Sequence, residues 1–239
     1  VTWRSPHLLA AIPLRHAPDR SYPRRMDRDE IHAAIAQERR DIADLIDSLD
    51  DSQLATESLC TGWDVKTVAA HLVVPLEGGV RGVFRTIILT WRRRNPARAL
   101  DEMARLRAQS PATEIAASLR NLAEHQYWRP PPKITGRLVE ILCHSGDIRI
   151  PLGLPFEPDP ESTMVALKML TGPFPYGFMP LRRLRGLSWQ ATDIDRRWGR
   201  GPAIRGRTAD LLMAAVGRTA TLDALNGPGL PLLRQRISR

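Results

Sequence analysis

Four residues of this sequence have types and spacings that chemistry can use. Glu140 and His144 stand four apart, and Asp147 follows three later, within Gly136-Arg-Leu-Val-Glu-Ile-Leu-Cys-His-Ser-Gly-Asp147. Positions three or four apart share a helix face, so a helix here lines up a carboxylate, an imidazole and a second carboxylate in one strip. Leu138, Ile141, Leu142 and Ile148 lie off that strip as core positions. Helical bundles hold metal ions with such a carboxylate and histidine, completed by a ligand from another helix. The same spacing also suits a solvated helix, and periodicity alone does not choose. His71 bears on the choice, because it lies beside Val68, Leu72 and Val73, where an unpaired imidazole is costly. It is either a core histidine bonded to a carbonyl or the missing ligand. His7 and His16 in a proline-rich start, His32 on a surface helix and His125 near a helix end form no comparable set.

The elements that must position these residues are legible as patterns. Asp27 as N-cap with Glu30 three residues on opens a first helix, and Ile31, Ile35, Ile42, Leu45, Ile46 and Leu49 carry it to about Asp50. After a polar link, Asp64 caps a second helix bearing Val65, Val68, Ala69 and Leu72, with an interruption expected at Pro75 or Gly78-Gly79. Val80, Val83, Ile87 and Ile88 suggest another helix, and Asn95-Pro96 and Ser110-Pro111 each start one more. Pro130-Pro131-Pro132 separates the last of these from a helix over about Thr135 to Ile150. Prolines 151, 155, 158 and 160 mark a domain boundary. Beyond it the reading is a helix over Pro160 to Leu170, a strand through Leu187, Trp189 and Ala191, a turn at Asp193 to Arg196, a second antiparallel strand from Trp198 to Ile204, and a helix over Thr208 to Val216. The organisation expected is a leader over 1–25, a helical domain over 26–150 and a small α+β domain over 151–239, mainly α in total.

Composition removes other classes. The 239 residues are 43% hydrophobic and 26% charged, as in an ordinary globular chain. No apolar run approaches the ~18 residues of a membrane helix, so no membrane partner is expected. A net charge of +9 invites a nucleic-acid reading. Yet the first 25 residues hold five arginines against Asp19 alone and so supply +4 of it, and no helix-turn-helix, zinc finger or stacking motif accompanies the charge. The three lysines, Lys66, Lys133 and Lys168, against 32 arginines reflect a GC-rich genome more than selection for binding. The leader lacks periodicity, and Met26 directly precedes the first helix, which suggests an upstream mis-assigned start in preference to a targeting peptide. Two cysteines outside any CxxC pair point to a reducing cytoplasm.

Gly62-Trp63-Asp64-Val65 with His71-Leu72, then Glu140-x-x-x-His144-x-x-Asp147-Ile148, resembles the metal-binding domain of the mycothiol-dependent maleylpyruvate isomerase family, within the DinB-like group. Trp198-Gly199-x-Gly201-Pro202-x-Ile204-x-Gly206 and Ala209-Asp210-Leu211-Leu212 to Gly217-Arg218 resemble that family's C-terminal domain. The resemblance covers most of residues 27–239. It implies a DinB-like four-helix bundle, metal ligands at His71, Glu140 and His144, and mycothiol as the thiol cosubstrate. Zn²⁺ is the ion the family favours, although two histidines and one carboxylate also suit Fe²⁺, and Ni²⁺ stays open. In the family the thiol adds to the double bond of a cis-enedioate, and rotation followed by thiol elimination gives the trans isomer; other members transfer the thiol to a small electrophile.

Around that set, Asp147 is either an acceptor orienting a ligand histidine or a surface aspartate. Arg205 and Arg218 are candidates for gripping a substrate carboxylate or the thiol. Cys143 reads as a small buried hydrophobe, Trp63 as a packing anchor and Arg182-Arg183-x-Arg185 as a solvated loop. The leading expectation is a thiol-dependent metalloenzyme, isomerase- or S-transferase-like, acting on a small electrophilic or dicarboxylate substrate. A non-catalytic metal or thiol-conjugate binding protein and a nucleic-acid-binding helical protein are the alternatives. Monomer and dimer are equally compatible with the sequence.

Overall fold

The computed structural model of the chain describes residues 26–77, 95–125, 134–172 and 183–238. Helix α1 (Arg28–Ser48) opens with the expected capping box, Asp27 and Glu30 each accepting the other's backbone N–H at 2.9 Å. Where the sequence suggested only a polar link, a one-turn helix α2 (Asp51–Leu54) forms, because Asp50 and Gln53 make a second capping box. Helix α3 (Val65–Glu77) starts where the Asp64 carboxylate accepts the Thr67 N–H at 2.7 Å. Pro75 does not end α3, which continues to the last described residue of that stretch, Glu77. Gly78-Gly79, the helix suggested by Val80 to Ile88, the proline run 130–132 and the leader 1–25 lie outside the described residues.

Helix α4 (Pro96–Arg107) begins at Asn95 with proline in its first turn, and α5 (Ala112–Asn121) stops well short of the proline run. Helix α6 spans Ile134–Arg149. Helix α1 packs on α5 and α6, and α3 packs on α4, α5 and α6; α1, α3, α5 and α6 share one core, while Ala99 and Met103 of α4 form a small separate cluster with Val74. Arg39, buried in α1, donates to the carbonyls of Ala123 (2.7 Å) and His125 (3.1 Å) and so caps the end of α5.

The central helix is α6. Its predicted core residues are buried, and so are Val139, Cys143, Ser145, Gly146 and Asp147, which a one-faced helix would expose. The cause is a second layer: α7 (Pro160–Leu170) and α8 (Thr208–Ala215) also pack on α6. Gly146 permits that approach, since a Cβ there would lie 2.6 Å from Met213 Sδ and 3.1 Å from Phe156. One apolar cluster therefore runs from Ile31 to Leu233 across the proline-rich link.

The C-terminal part corrects the expected strand layout. The predicted Trp198–Ile204 strand is two strands, β2 (Arg196–Gly199) and β3 (Ala203–Gly206), flanking β1 (Ser188–Ala191) in the order β2-β1-β3. Trp189 faces Trp198 in the antiparallel pair and Ile204 in the parallel one, so the sheet is mixed. Residues 200–202 must cross the entry of β1 in three residues. Gly201 makes this possible with φ +122°, where a Cβ would collide with the Gly186 carbonyl. A 3₁₀ turn (Thr219–Ala224), packed on α8, and helix α9 (Leu230–Ile237), packed on that turn, were not expected from the sequence. Among the described residues no helix is long and apolar enough to cross a membrane.

Candidate functional site

Three segments converge on one face of α6. The first is α3, which carries His71. The second is the tight loop between α2 and α3. Ser58 N–H donates to Trp63 O, Trp63 N–H to Cys60 O, and Gly62 adopts φ +77° to close the turn. Leu59 N–H donates to the Asp147 carbonyl at 3.2 Å, pinning the loop to α6 and presenting Cys60 to it. The third is the end of α8. Gly217, at φ +87°, bonds back to Ala214 and Arg218 N–H to Met213 O, the two hydrogen bonds of a Schellman motif, which aims the Arg218 side chain at α6.

His71, Glu140 and His144 are brought together. His71 Nε2 lies 3.5 Å from Glu140 Oε1, and the His71 and His144 rings meet edge to face with centroids 5.0 Å apart. A spacing of 3.5 Å is at the outer limit of a hydrogen bond and close to the roughly 3.4 Å that separates two ligand atoms on one tetrahedral ion. His71 Nδ1 is buried with no hydrogen-bond partner among the described residues. Trp63 covers the other side of His71 at 5.1 Å and donates its indole N–H to Asp101 at 2.7 Å, an anchor as expected. Burial holds the His71 imidazole below its ordinary pKa against the pull of Glu140. Burial acts to raise Glu140, but its bond to His71 and the nearby His71, His144 and Arg39 charges prevail and keep it low. A neutral imidazole beside an ionised carboxylate is the protonation state that metal ligands need.

His144 turns its other nitrogen to Asp147. Nδ1 lies 3.0 Å from Asp147 Oδ2, and Asp147 is fully buried. Arg218 grips that carboxylate with two charge-assisted bonds, Nε to Oδ1 at 2.7 Å and Nη2 to Oδ2 at 2.9 Å. Burial opposes both charges, yet the pairing wins: His144 is pushed up to about 10, and Asp147 is held well below the carboxylate range. Asp147 is thus an interior group bonded to a candidate ligand, and not a surface aspartate. It turns His144 Nε2 away from Asp147, the arrangement in which a carboxylate orients a metal-bound imidazole, and an ion at Nε2 would have to displace the proton that this pairing holds on the ring near neutral pH.

The residue that sequence reading missed is Cys60. Its Sγ lies 3.0 Å from Asp147 Oδ2, 3.6 Å from His144 Nδ1 and 3.2 Å from Arg218 Nη2. Among the described residues, Cys60, His144 and Asp147 are the set whose donor atoms all lie within 4.8 Å of one another. The His71–Glu140–His144 set is assembled but not closed to that distance. Nothing in the local sequence around Cys60 signals this role, because the contact spans 84 positions. Cys143 is buried, with its thiol pushed well above the ordinary value mainly by burial, in keeping with a packing role.

Arg218, expected as a substrate-binding candidate, reaches the cluster but is occupied by Asp147 and Cys60. Arg205 stands exposed on β3 and donates to Gln190 at 3.0 Å instead of joining the cluster. A crevice of about 10 Å³, room for roughly one water, lies beside Glu140 between Arg39, Arg137 and Leu72. A larger cleft of about 440 Å³ between α1, α2, α3 and α5 is lined by none of the cluster residues.

Fold and site together define a mainly helical protein with a small mixed sheet, whose interior carries a polar His–Glu–His–Asp–Arg cluster. Residues 35–149 match the family model described as the mycothiol maleylpyruvate isomerase N-terminal domain. Two solved structures share the fold. The crystal structure of mycothiol-dependent maleylpyruvate isomerase aligns at 13% identity and TM-score 0.56, and that of a histidine-to-alanine mutant at 12% and 0.57. Each alignment covers 85% of this chain and 93% of the other. No curated protein matches the chain.

Proposed function

We propose that the chain is a thiol-dependent metalloenzyme of the isomerase or S-transferase type, with mycothiol as cosubstrate and His71, Glu140 and His144 as the ligands of one divalent ion. The carrying observation is the His71–Glu140 pair at 3.5 Å, beside a His144 whose Nδ1 is taken by a buried aspartate. A divalent ion held there supplies a thiol kept as thiolate near neutral pH.

The chain's own residues do the rest. Glu140 provides the negative charge, and His71 stays neutral because it is buried. Asp147 fixes the His144 ring through Nδ1, so that Nε2 is the nitrogen that would bind the ion on losing its proton, and Arg218 fixes Asp147. A substrate carboxylate would have to share the Arg218 guanidinium with Asp147, while Arg205, exposed and paired with Gln190, stands outside the cluster. Zn²⁺ is the ion this reading favours, and a reducing cytoplasm suits the two free thiols.

Elemental analysis of the purified chain beside His71→Ala and His144→Ala variants tests the ligand set. The expected result is about one divalent ion in the wild type and its loss in both variants. Retention of the ion in both variants would sink the assignment. Incubating the metal-loaded chain with mycothiol and either maleylpyruvate or simple electrophiles separates enzyme from binder: turnover is expected, and binding without isomerisation or thiol consumption refutes the catalytic part.

A further inference from the structure

The cluster contains a second set of donors. Cys60 Sγ, His144 Nδ1 and Asp147 Oδ2 form a triangle with edges of 3.0 Å (sulfur to oxygen), 3.6 Å (sulfur to nitrogen) and 3.0 Å (nitrogen to oxygen). Donor atoms on a single tetrahedral ion stand about 3.4 to 3.6 Å apart, so this triangle needs to open by only about half an ångström. A thiolate, an imidazole and a carboxylate also suit a borderline divalent ion well. His144 belongs to both sets, through different ring nitrogens.

A cation already lies over the triangle. Arg218 Nη2 is 3.2 Å from Cys60 Sγ and 2.9 Å from Asp147 Oδ2, while Nε holds Oδ1 at 2.7 Å. The guanidinium takes the lone pairs that an ion would use along the sulfur–oxygen edge, and it repels a second positive charge at that distance. The Schellman turn at Gly217 holds the arginine there. An external thiol needs the ion held at Nε2 with a position open, and a thiolate-containing set at Nδ1 would compete for the ion itself.

We propose that Arg218 is a positioning residue that keeps Cys60 out of the metal site, and that without it Cys60, His144 Nδ1 and Asp147 become a thiolate-containing metal site. This rests on reading His71, Glu140 and His144 as the working ligand set. Capture of an ion by Cys60 would release the thiol proton to solvent and add one sulfur–metal bond.

Co²⁺ added to the metal-stripped, reduced full-length chain is the test, because a thiolate ligand gives an intense sulfur-to-cobalt charge-transfer band that histidine and carboxylate ligands do not. The wild type should bind Co²⁺ without that band, and His71→Ala should abolish the binding. Arg218→Ala and Arg218→Gln should each gain the band, and adding Cys60→Ser should remove it. Folded Arg218 variants saturated with Co²⁺ but lacking the band would overturn the proposal, as would the band in the wild type. Cys60→Ser alone decides the matter even if the arginine variants fail to fold: wild-type affinity and spectrum support sequestration, while more than about tenfold weaker binding makes Cys60 a ligand and refutes it. Undiminished Co²⁺ binding by His71→Ala would instead count against the His71–Glu140–His144 reading, separately from the arginine result.

Discussion

Replacing Asp147 with asparagine should destabilise the protein and loosen its candidate metal site together. Asp147 is fully buried, and its carboxylate meets His144, both Arg218 donors and Cys60 within 2.7 to 3.0 Å. Asparagine keeps the size and one acceptor but removes the charge, leaving the Arg218 guanidinium uncompensated. Removing one partner of a buried pair costs about 3 to 5 kcal/mol. The Arg218 side chain is 27% exposed, and water recovers part of that loss, so the low end, about 3 kcal/mol, is expected. For a chain of this size that corresponds to a melting temperature lower by about 6 to 12 °C. Loss of the group orienting His144 should also weaken Zn²⁺ binding by about 10- to 100-fold. Thermal and urea unfolding of metal-stripped chains at neutral pH, followed by calorimetric Zn²⁺ titration, measure the two effects. The double variant D147N/R218M should lose less than the sum of the single losses, because no orphaned cation remains. A melting temperature within about 2 °C of wild type and unchanged Zn²⁺ affinity would refute the account of Asp147 as the support of the site.

Other consequences follow from single features. In the native protein, iodoacetamide should label half-buried Cys60 and spare buried Cys143 until denaturant is added, read by peptide mass spectrometry; prior labelling of Cys143 would contradict the packing. Gly217→Ala should cost about 1 to 2 kcal/mol in urea unfolding through its left-handed backbone, and Gly201→Ala should cost more, because its Cβ also meets the Gly186 carbonyl. Glu77 is opposed by burial, but hydrogen bonds from Arg107 and Ser118 prevail and hold its pKa low. Its contribution is therefore complete above the unfolded glutamate pKa and fades as pH falls through the lower folded value. The stability gap between wild type and Glu77→Gln should be constant near neutrality and close in acid, and a gap that widens there would reverse the sign.

The sequence determined this protein's helices and the composition of its candidate site, since both are local. The Asp27 capping box, Asn95 before Pro96 and the Val65–Leu72 stripe follow from chemistry within a few residues, as does the placing of Glu140, His144 and Asp147 on one helix. Family order, not spacing, joined His71 to them. Short elements were less legible: α2, the 3₁₀ turn and α9 have too few residues for a periodic signal, and the split of one expected strand into β2 and β3 depends on a crossing at Gly201 that only the partner strand reveals. The surroundings of the site were decided in three dimensions. Whether Asp147 faced water or the interior turned on the second layer that Gly146 admits against α6. The partnership of Asp147 with Arg218, 71 positions away, and with Cys60, 87 positions away, came from that packing. A helix face is set by neighbours three and four along the chain, whereas a buried charge is set by whatever folds over it.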